Sequence, residues 1–169
     1  MLNFKEKLTQ IKAFAFDVDG VFTDGSLIIF PTGEFIRTMN IRDGYAVQRA
    51  VKLGYPIAII SKGNEESVRA RFRYLGVTEI FLPANDKCEV FNNFVAKYNL
   101  NPEDVLYMGD DMPDYEVIQL AGLRTCPADA DSEIKVLSHY ISSFNGGRGC
   151  VRDVIEQTLR AQNKWIPKT

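Results

Sequence analysis

The chain has 169 residues, and its 20 Lys and Arg residues against 22 Asp and Glu residues give a formal net charge of −2. Its composition, 46% hydrophobic and 25% charged, is that of a folded globular protein, and its length predicts one domain over residues 1–169. The near-neutral charge excludes a dedicated nucleic-acid-binding protein, which would carry a basic face. The sequence shows neither an apolar run long enough to span a membrane nor the apolar stretch of a signal peptide near Met1, so we expect a cytoplasmic protein without a membrane partner.

Short apolar runs alternate with helical patterns along the chain. Strands are predicted for the apolar runs at 11–16, 56–60, 79–82, 105–108, 123–126 and 139–141. Helices are predicted after Pro113, between the last two strands, and at 43–53, 64–75, 86–98 and 150–162, with Asn64 and Asp86 as N-caps. Two β-rich runs around Pro31-Thr-Gly33 predict a hairpin within about residues 24–40. This alternation indicates an α/β fold, in which helices cover both faces of a parallel sheet.

Polar residues stand where the predicted strands end. They are Asp17 and Asp19 after the first strand, Ser61 after the second, Lys87 after the third, and Asp110 and Asp111 after the fourth. Ligands of parallel sheets bind at the carboxyl ends of the strands, so we expect these side chains to lie close together. Oxygen ligands without His or Cys favour Mg²⁺, and a hydroxyl and an ammonium beside it would neutralise a phosphate group.

The pattern therefore predicts a phosphoryl-transfer site. A carboxylate at a strand end can act as a nucleophile and form an aspartyl-phosphate. A second carboxylate, two residues further on, can protonate the leaving oxygen and then activate water. Each motif taken singly is a weak indicator, because acidic turns are common as helix caps and loops. An EF-hand is excluded, since Val21, Phe22 and Ile28 stand where its loop needs an oxygen ligand, Gly and Glu.

Two other classes of function stay open at this point. A phospho-acceptor signalling domain would share the sheet, the acidic residues, Mg²⁺, the hydroxyl and the lysine. A catalytically idle homologue would serve as an assembly or regulatory subunit. The position of Asp19 favours the hydrolase, because it fits an acid/base that promotes rapid turnover of the phosphoenzyme.

The motifs Asp17-Val-Asp19-Gly20, Ser61, Lys87 and Gly109-Asp-Asp111-x-x-Asp114 resemble, in this order, those of the haloacid-dehalogenase superfamily of phosphohydrolases. The resemblance implies a Rossmann-like sheet with a small hairpin flap and no separate cap domain. It also implies a Mg²⁺-dependent phosphomonoester hydrolase. The implied roles are Asp17 as nucleophile and metal ligand, Asp19 as general acid/base and backbone-carbonyl ligand, Ser61 and Lys87 as phosphoryl-binding groups, Asp110 as third metal ligand, and Asp111 and Asp114 as supporting residues.

Four longer stretches, Phe16–Gly25, Ile41–Tyr45, Tyr107–Asp111 and Gly146–Gly149, are similar to one subgroup of that superfamily. Its members act on the 8-phosphate of an eight-carbon sugar acid of lipopolysaccharide. The resemblance implies a homotetramer in which a neighbour's hairpin closes each site. Arg148 stands between glycines, and its guanidinium could hold the carboxylate of such a sugar acid.

One stretch departs from the subgroup. Many relatives have Thr-Gly-Arg after the second strand, where this chain has Ser61-Lys62-Gly63. The serine keeps the hydroxyl, but Lys62 offers the substrate a point charge and no bidentate fork. The change leaves open a nine-carbon keto-sugar acid 9-phosphate as the alternative substrate.

Overall fold

A parallel sheet of six strands lies at the centre of the structure, which is a computed structural model describing residues 3–167. The first two and the last two residues of the predicted domain lie outside the described residues. The strands are β1 (Ala13–Phe16), β2 (Ile28–Ile29), β3 (Phe35–Ile36), β4 (Ile57–Ile60), β5 (Glu79–Phe81), β6 (Val105–Met108), β7 (Leu123–Cys126) and β8 (Tyr140–Ile141). The helices are α1 (Phe4–Leu8), α2 (Ile41–Lys52), α3 (Glu66–Tyr74), α4 (Lys87–Lys97), α5 (Ser132–Leu137) and α6 (Cys150–Ala161).

The strand order in the central sheet is β5-β4-β1-β6-β7-β8, and every neighbouring pair is parallel. The chain winds outward from β1 to β4 and β5, then returns to β6 on the other side of β1 and winds outward again. The direction of winding therefore reverses between β1 and β6, and the carboxyl ends of these two strands flank a crevice. The predicted α/β fold with a Rossmann-like parallel sheet is confirmed.

Both faces of the sheet are buried, and β1 shows how the side chains divide between them. Phe14 and Phe16 point to the face that α2, α3 and α6 cover, whereas Ala13 and Ala15 point to the face that α4 and α5 cover. Successive side chains of a strand alternate between the two faces, which is why the large and small residues separate in this way. The helices thus lie on both faces, as predicted.

β2 and β3 form a separate antiparallel ribbon, in which Ile28 pairs with Ile36 and Ile29 with Phe35. This is the predicted hairpin. Its large apolar side chains are between 41% and 67% exposed; they are Leu27, Ile28, Ile29, Phe30, Phe35 and Ile36. The ribbon therefore carries an apolar surface that the chain itself does not cover.

Two local predictions differ from the structure. The helix predicted after Pro113 is replaced by short 3-10 turns at Met112–Asp114 and Val117–Leu120, because the carboxylate of Asp114 turns inward to buried donors. The N-cap position of α3 is Glu65 and not Asn64, and the Glu65 carboxylate forms an ion pair elsewhere instead of capping the helix.

Helix α1 was not predicted. It begins with a capping box, in which Asn3 and Glu6 each accept a hydrogen bond from the other's backbone N–H. The signal for it in the sequence is the spacing of these two residues. Within the described part of the chain, no helix has both the length and the apolar character that a membrane crossing requires.

Asp43 joins two of the motif stretches noted in the sequence. It lies in the first turn of α2, and its Oδ1 accepts a hydrogen bond of 2.6 Å from the backbone N–H of Arg152 in the first turn of α6. Gly149, the N-cap residue of α6, has no side chain to cap the helix, so the carboxylate from α2 takes that role. Burial raises the pKa of Asp43 to about 6, although the N–H groups of Arg152 and Gly149 oppose this shift.

Candidate active site

Asp17 lies at the point where the sheet reverses its winding. It follows β1 directly and is buried. Its Oδ1 accepts a hydrogen bond of 2.7 Å from the backbone N–H of Val18, and its Oδ2 lies 3.0 Å from Nζ of Lys87. Both carboxylate oxygens are thus fixed by donors at the mouth of the crevice.

Lys87 is buried at the first position of α4, between two carboxylates. Its Nζ lies 3.0 Å from Asp17 and 2.7 Å from Asp114. Burial by itself lowers the pKa of Lys87, but the two carboxylates outweigh burial and raise it, so the ammonium stays charged. The helix is positioned by Asp86, which caps it by accepting a hydrogen bond of 2.9 Å from the backbone N–H of Glu89.

Asp114 connects several groups of the site through hydrogen bonds to its carboxylate. Its Oδ1 accepts hydrogen bonds of 2.7 Å from Lys87 and from the hydroxyl of Tyr107, and its Oδ2 accepts one of 3.1 Å from the backbone N–H of Asp110. Asp114 is fully buried, and each of its oxygens has a donor. It therefore fixes Lys87 on one side and the backbone of Asp110 on the other.

Asp110 packs directly against the loop that follows β1. A Cβ atom on Gly20 would overlap the carboxylate of Asp110, and Gly20 has φ +79°, which also favours glycine. This close approach brings three carboxylates together: oxygen atoms of Asp17, Asp110 and Asp114 lie within 4.8 Å of one another.

The charges of this carboxylate cluster fit a divalent cation. Burial, and next the Asp114 carboxylate, raise the pKa of Asp17 well above its ordinary value, even though Lys87 opposes the shift. The same two causes raise the pKa of Asp110 to about 7. A hard cation held by oxygen atoms would compensate this negative charge. Asp114 is fully buried, whereas the side chains of Asp17 and Asp110 keep some exposure at the crevice, so Asp17 and Asp110 are the carboxylates that would hold the ion.

A loop near the end of the chain covers the loop after β1. A Cβ atom on Gly146 would overlap the carbonyl oxygen of Gly20, and one on Gly147 would lie 2.7 Å from the backbone N of Asp24. The glycines of this stretch thus allow close approach of backbone to backbone. Arg148 extends from the loop with an exposed side chain, and its guanidinium lies 3.2 Å from Oδ2 of Asp24. Its role in holding a sugar-acid carboxylate stays a prediction.

The other predicted site residues lie around the cluster. Ser61 is buried directly after β4, where its Oγ accepts a hydrogen bond of 3.4 Å from the N–H of Gly63. Lys62 is exposed and lines an open cleft of about 430 Å³ together with Lys87. Asp111 is exposed and lies outside the carboxylate cluster.

Asp19 stands apart from the cluster and pairs with an arginine that the sequence analysis did not identify. Its carboxylate is 41% exposed and accepts two hydrogen bonds from Arg37. Tyr107 was also missed; the signal for it was a hydroxyl within an otherwise apolar strand, since a buried hydroxyl needs a partner. No local pattern marks Arg37.

A family model for haloacid dehalogenase-like hydrolases matches residues 44–155, which is more than half of the chain. The chain belongs to the haloacid dehalogenase-like hydrolases. A curated relative, the 3-deoxy-D-manno-octulosonate 8-phosphate phosphatase of Escherichia coli strain K12, is 34% identical over 158 residues, which cover 94% of this chain and 84% of the relative.

Solved structures of such hydrolases agree with this assignment. The 3-deoxy-D-manno-octulosonate 8-phosphate phosphatase of Yersinia pestis has a TM-score of 0.93 and 32% identity, covering 96% of this chain and 88% of its own. The corresponding phosphatase of Moraxella catarrhalis, in complex with magnesium, phosphate and KDO, has a TM-score of 0.92 and 31% identity, covering 96% of this chain and 93% of its own. The predictions of a phosphatase and of Mg²⁺ as its cofactor are confirmed.

The raised pKa of Asp110 predicts that Mg²⁺ binding by this hydrolase depends on pH. Burial and the neighbouring carboxylates raise the pKa of Asp110 to about 7, so below this pH an ion held by Asp110 would have to displace a proton. We expect the apparent Mg²⁺ affinity to fall by about tenfold for each pH unit below this value. Titration calorimetry on both sides of pH 7 measures the apparent Mg²⁺ affinity. An affinity independent of pH would contradict the prediction.

The same raised pKa affects the stability of the metal-free protein in the opposite direction. The raised pKa of Asp110 contributes to the free energy of unfolding. This contribution is fully present below the ordinary pKa of 3.8 and is lost as the pH rises through about 7. The increase in melting temperature that Mg²⁺ produces should therefore grow as the pH is raised through this range.

Proposed function

We propose that this phosphatase hydrolyses 3-deoxy-D-manno-octulosonate 8-phosphate through a phosphoenzyme formed on Asp17. The observation that carries the proposal is the buried Asp17 carboxylate at the end of β1, held by Val18 and Lys87, in a chain similar over most of its length to phosphatases named for this substrate. Residues 1–169 would form one domain, with the hairpin as a flap and no separate cap domain.

The first step transfers the phosphoryl group to the enzyme. A carboxylate oxygen of Asp17 forms a bond to phosphorus while the bond between phosphorus and the ester oxygen of the sugar breaks. Asp19 gives a proton to that departing oxygen, so that the sugar leaves as an alcohol. Lys87, 3.0 Å from Asp17, stabilises the nucleophile and the negative charge of the phosphoryl oxygens.

The second step returns the enzyme to its starting state. Water attacks the phosphorus atom, and Asp19, now a carboxylate, accepts the proton of the water. The bond between phosphorus and Asp17 breaks, inorganic phosphate is released, and Asp17 is again a carboxylate. Asp17 and Asp110 would hold Mg²⁺, which would supply positive charge to offset the repulsion between the Asp17 carboxylate and the phosphoryl group.

Substrate recognition is assigned to groups around this centre. The hydroxyl of Ser61 would donate to a phosphoryl oxygen, and Lys62 would reach the substrate from the cleft that it shares with Lys87. Arg148 would hold the carboxylate of the sugar acid, for which it has to leave Asp24. Asp19 would also provide its backbone carbonyl to the metal.

The proposal is tested by phosphate release in the presence of Mg²⁺ from a panel of esters. The panel contains 3-deoxy-D-manno-octulosonate 8-phosphate, nine-carbon keto-sugar acid 9-phosphates, hexose phosphates and an aryl phosphate. We expect the highest kcat/KM for the eight-carbon substrate. A preference for a nine-carbon acid would keep the mechanism and replace the substrate. A stable phosphoprotein that releases phosphate only once would favour a signalling domain, and no turnover of any ester would contradict the proposal.

We further propose that the hairpin covers the site of a neighbouring copy in a homotetramer. The apolar side chains of β2 and β3 support this, because exposed apolar surface of such extent is typical of contacts between proteins. One copy alone leaves Asp19 and the mouth of the crevice open to water, and a hydrolase excludes bulk water best when its site is closed.

Ile29, the most exposed apolar residue of the hairpin, offers a test of this assembly. We expect Ile29→Asp to dissociate the tetramer, since a charge would be buried in an apolar contact. It should also lower kcat/KM for the sugar-acid phosphate by about tenfold or more. Sedimentation velocity measures the assembly. Ile166→Asp, a change at an equally exposed apolar residue outside the hairpin, is the control. A monomeric wild type, or a variant that keeps both assembly and activity, would contradict the prediction.

A further inference from the structure

Arg37 makes a two-point contact with Asp19. It follows β3, on the segment that leads back from the hairpin to the core. Its Nε lies 2.6 Å from Oδ1 of Asp19, and its Nη2 lies 3.1 Å from Oδ2. Two parallel hydrogen bonds to one carboxylate fix the direction in which the carboxylate points, as well as its distance. The side chain of Arg37 is only 8% exposed, although the strands of the hairpin are exposed.

Glu65 holds the opposite end of the Arg37 guanidinium. Its Oε1 lies 3.1 Å from Nη1 of Arg37. The carboxylate reaches this position across Gly63, where a Cβ atom would lie 2.8 Å from Oε2 of Glu65 and 3.7 Å from Nη2 of Arg37. The glycine in Ser61-Lys62-Gly63, which departs from the pattern of many relatives, thus makes room for this pair. Because its carboxylate is paired with Arg37, Glu65 does not cap α3.

Arg37 is therefore fixed between two carboxylates that come from different parts of the chain. A guanidinium held on both sides loses little further freedom when Asp19 binds to it, so it is a rigid support. By contrast, Asp19 is half-exposed, and no other side-chain hydrogen bond to its carboxylate is found among the described residues. The orientation of the Asp19 carboxylate thus depends on Arg37.

We propose that Arg37 is a positioning residue for the acid/base Asp19, and that Glu65 fixes Arg37 in this role. The inference rests on the proposed function, because it assumes that Asp19 delivers a proton to the departing oxygen. Arg37 itself touches neither the phosphoryl group nor the nucleophile in this scheme. Its position directly after β3 also couples the hairpin to the acid/base, so that a displaced hairpin would misplace Asp19.

Two esters with different leaving groups distinguish a positioning role of Arg37 from a merely structural one. The oxygen of a sugar alcohol is a poor leaving group and needs a proton as its bond to phosphorus breaks, whereas a nitrophenolate departs with little help. If Asp19 is no longer held in position, hydrolysis of the sugar-acid phosphate must therefore slow more than hydrolysis of p-nitrophenyl phosphate. A mere loss of folded protein would slow both esters equally. The ratio of the two kcat/KM values reports the step up to departure of the alcohol, so the shared hydrolysis of the phosphoenzyme does not obscure it.

The experiment compares Arg37→Met, Arg37→Lys and Glu65→Gln with the wild type on both esters at saturating Mg²⁺. We expect Arg37→Met to lower kcat/KM for 3-deoxy-D-manno-octulosonate 8-phosphate by about 100-fold and for p-nitrophenyl phosphate by less than about tenfold. Arg37→Lys keeps the positive charge but cannot form two parallel hydrogen bonds, so it should lower kcat/KM for the sugar-acid ester by about tenfold. Glu65→Gln should change the ratio in the same direction by about threefold.

Glu66→Gln is the matched control, because Glu66 is the next residue along the chain and pairs with Arg69 and Arg73 instead of Arg37. We expect it to leave the ratio unchanged. Equal losses on both esters in the Arg37 and Glu65 variants would overturn the proposal, as would an unchanged ratio. Should Arg37→Met fail to fold, Arg37→Lys and Glu65→Gln decide the question. Failure of the proposed function is a separate result, since the wild type would then hydrolyse the sugar-acid ester no better than p-nitrophenyl phosphate, or hydrolyse neither ester.

Discussion

Replacing Asp17 with Asn is expected to lower kcat for phosphate release by at least about 10⁴-fold. The amide has the same shape as the carboxylate, and its oxygen still accepts the hydrogen bond from the N–H of Val18. It lacks the negative charge with which, in the proposed mechanism, the carboxylate attacks phosphorus, so the proposed phosphoenzyme would not form. Phosphate release with Mg²⁺ present measures the loss, and acid quenching of the wild type during turnover should trap phosphate on the protein.

Asp104→Asn is a suitable control for this substitution. Asp104 precedes β6 at the opposite end of the sheet, where it pairs with Lys12 at 2.8 Å. A surface ion pair of this kind contributes at most about 1 kcal/mol, so turnover should stay close to that of the wild type. If Asp17→Asn kept wild-type turnover, Asp17 would not be the nucleophile and the proposed mechanism would be wrong.

Gly20→Ala is expected to weaken Mg²⁺ binding by about 10- to 100-fold. The new methyl group would overlap the carboxylate of Asp110, which must then move away from Asp17. Calorimetric titration with Mg²⁺ measures the affinity, and kcat should recover in part at high Mg²⁺ concentration, because Asp17 itself is unchanged.

Gly25→Ala separates this contact from backbone strain. Gly25 has φ +78°, almost the same as the +79° of Gly20, but nothing lies within 4 Å of the position that its Cβ would take. Both substitutions therefore strain the backbone to a similar extent, and only Gly20→Ala displaces a carboxylate. Equal losses of Mg²⁺ affinity in the two variants would mean that strain, and not the position of Asp110, controls the metal site.

The central strands and the polar residues after them were predictable from the sequence. β1, β4 and β6 are buried along their whole length, and each is an apolar run that ends at a polar residue or a glycine. In a parallel sheet the carboxyl ends of the strands lie at one edge, which is why the sequence predicts that Asp17, Lys87 and Asp110 lie close together.

The contacts that tie distant segments together could not be predicted. Arg37 lies on the hairpin and Glu65 in the loop after β4, and neither has a local spacing that indicates the other. The cap that Asp43 provides for α6 is equally remote in the chain. The helix predicted after Pro113 from local sequence preference was also wrong. The buried donors around Asp114 favour a short turn there instead.

The loop of Gly146 and Gly147 has a consequence for the synthesis of the protein. Its backbone packs against the backbone of residues 20–24, and α6, which follows it directly, contacts the same segment, since the thiol of Cys150 donates a hydrogen bond to the carbonyl oxygen of Val21. Ribosomes make a chain from its amino end, so the loop after β1 emerges early but lacks its support until α6 has been made. The loop after β1 is therefore covered only late in translation, and a chain that stops before α6 would leave it without this cover.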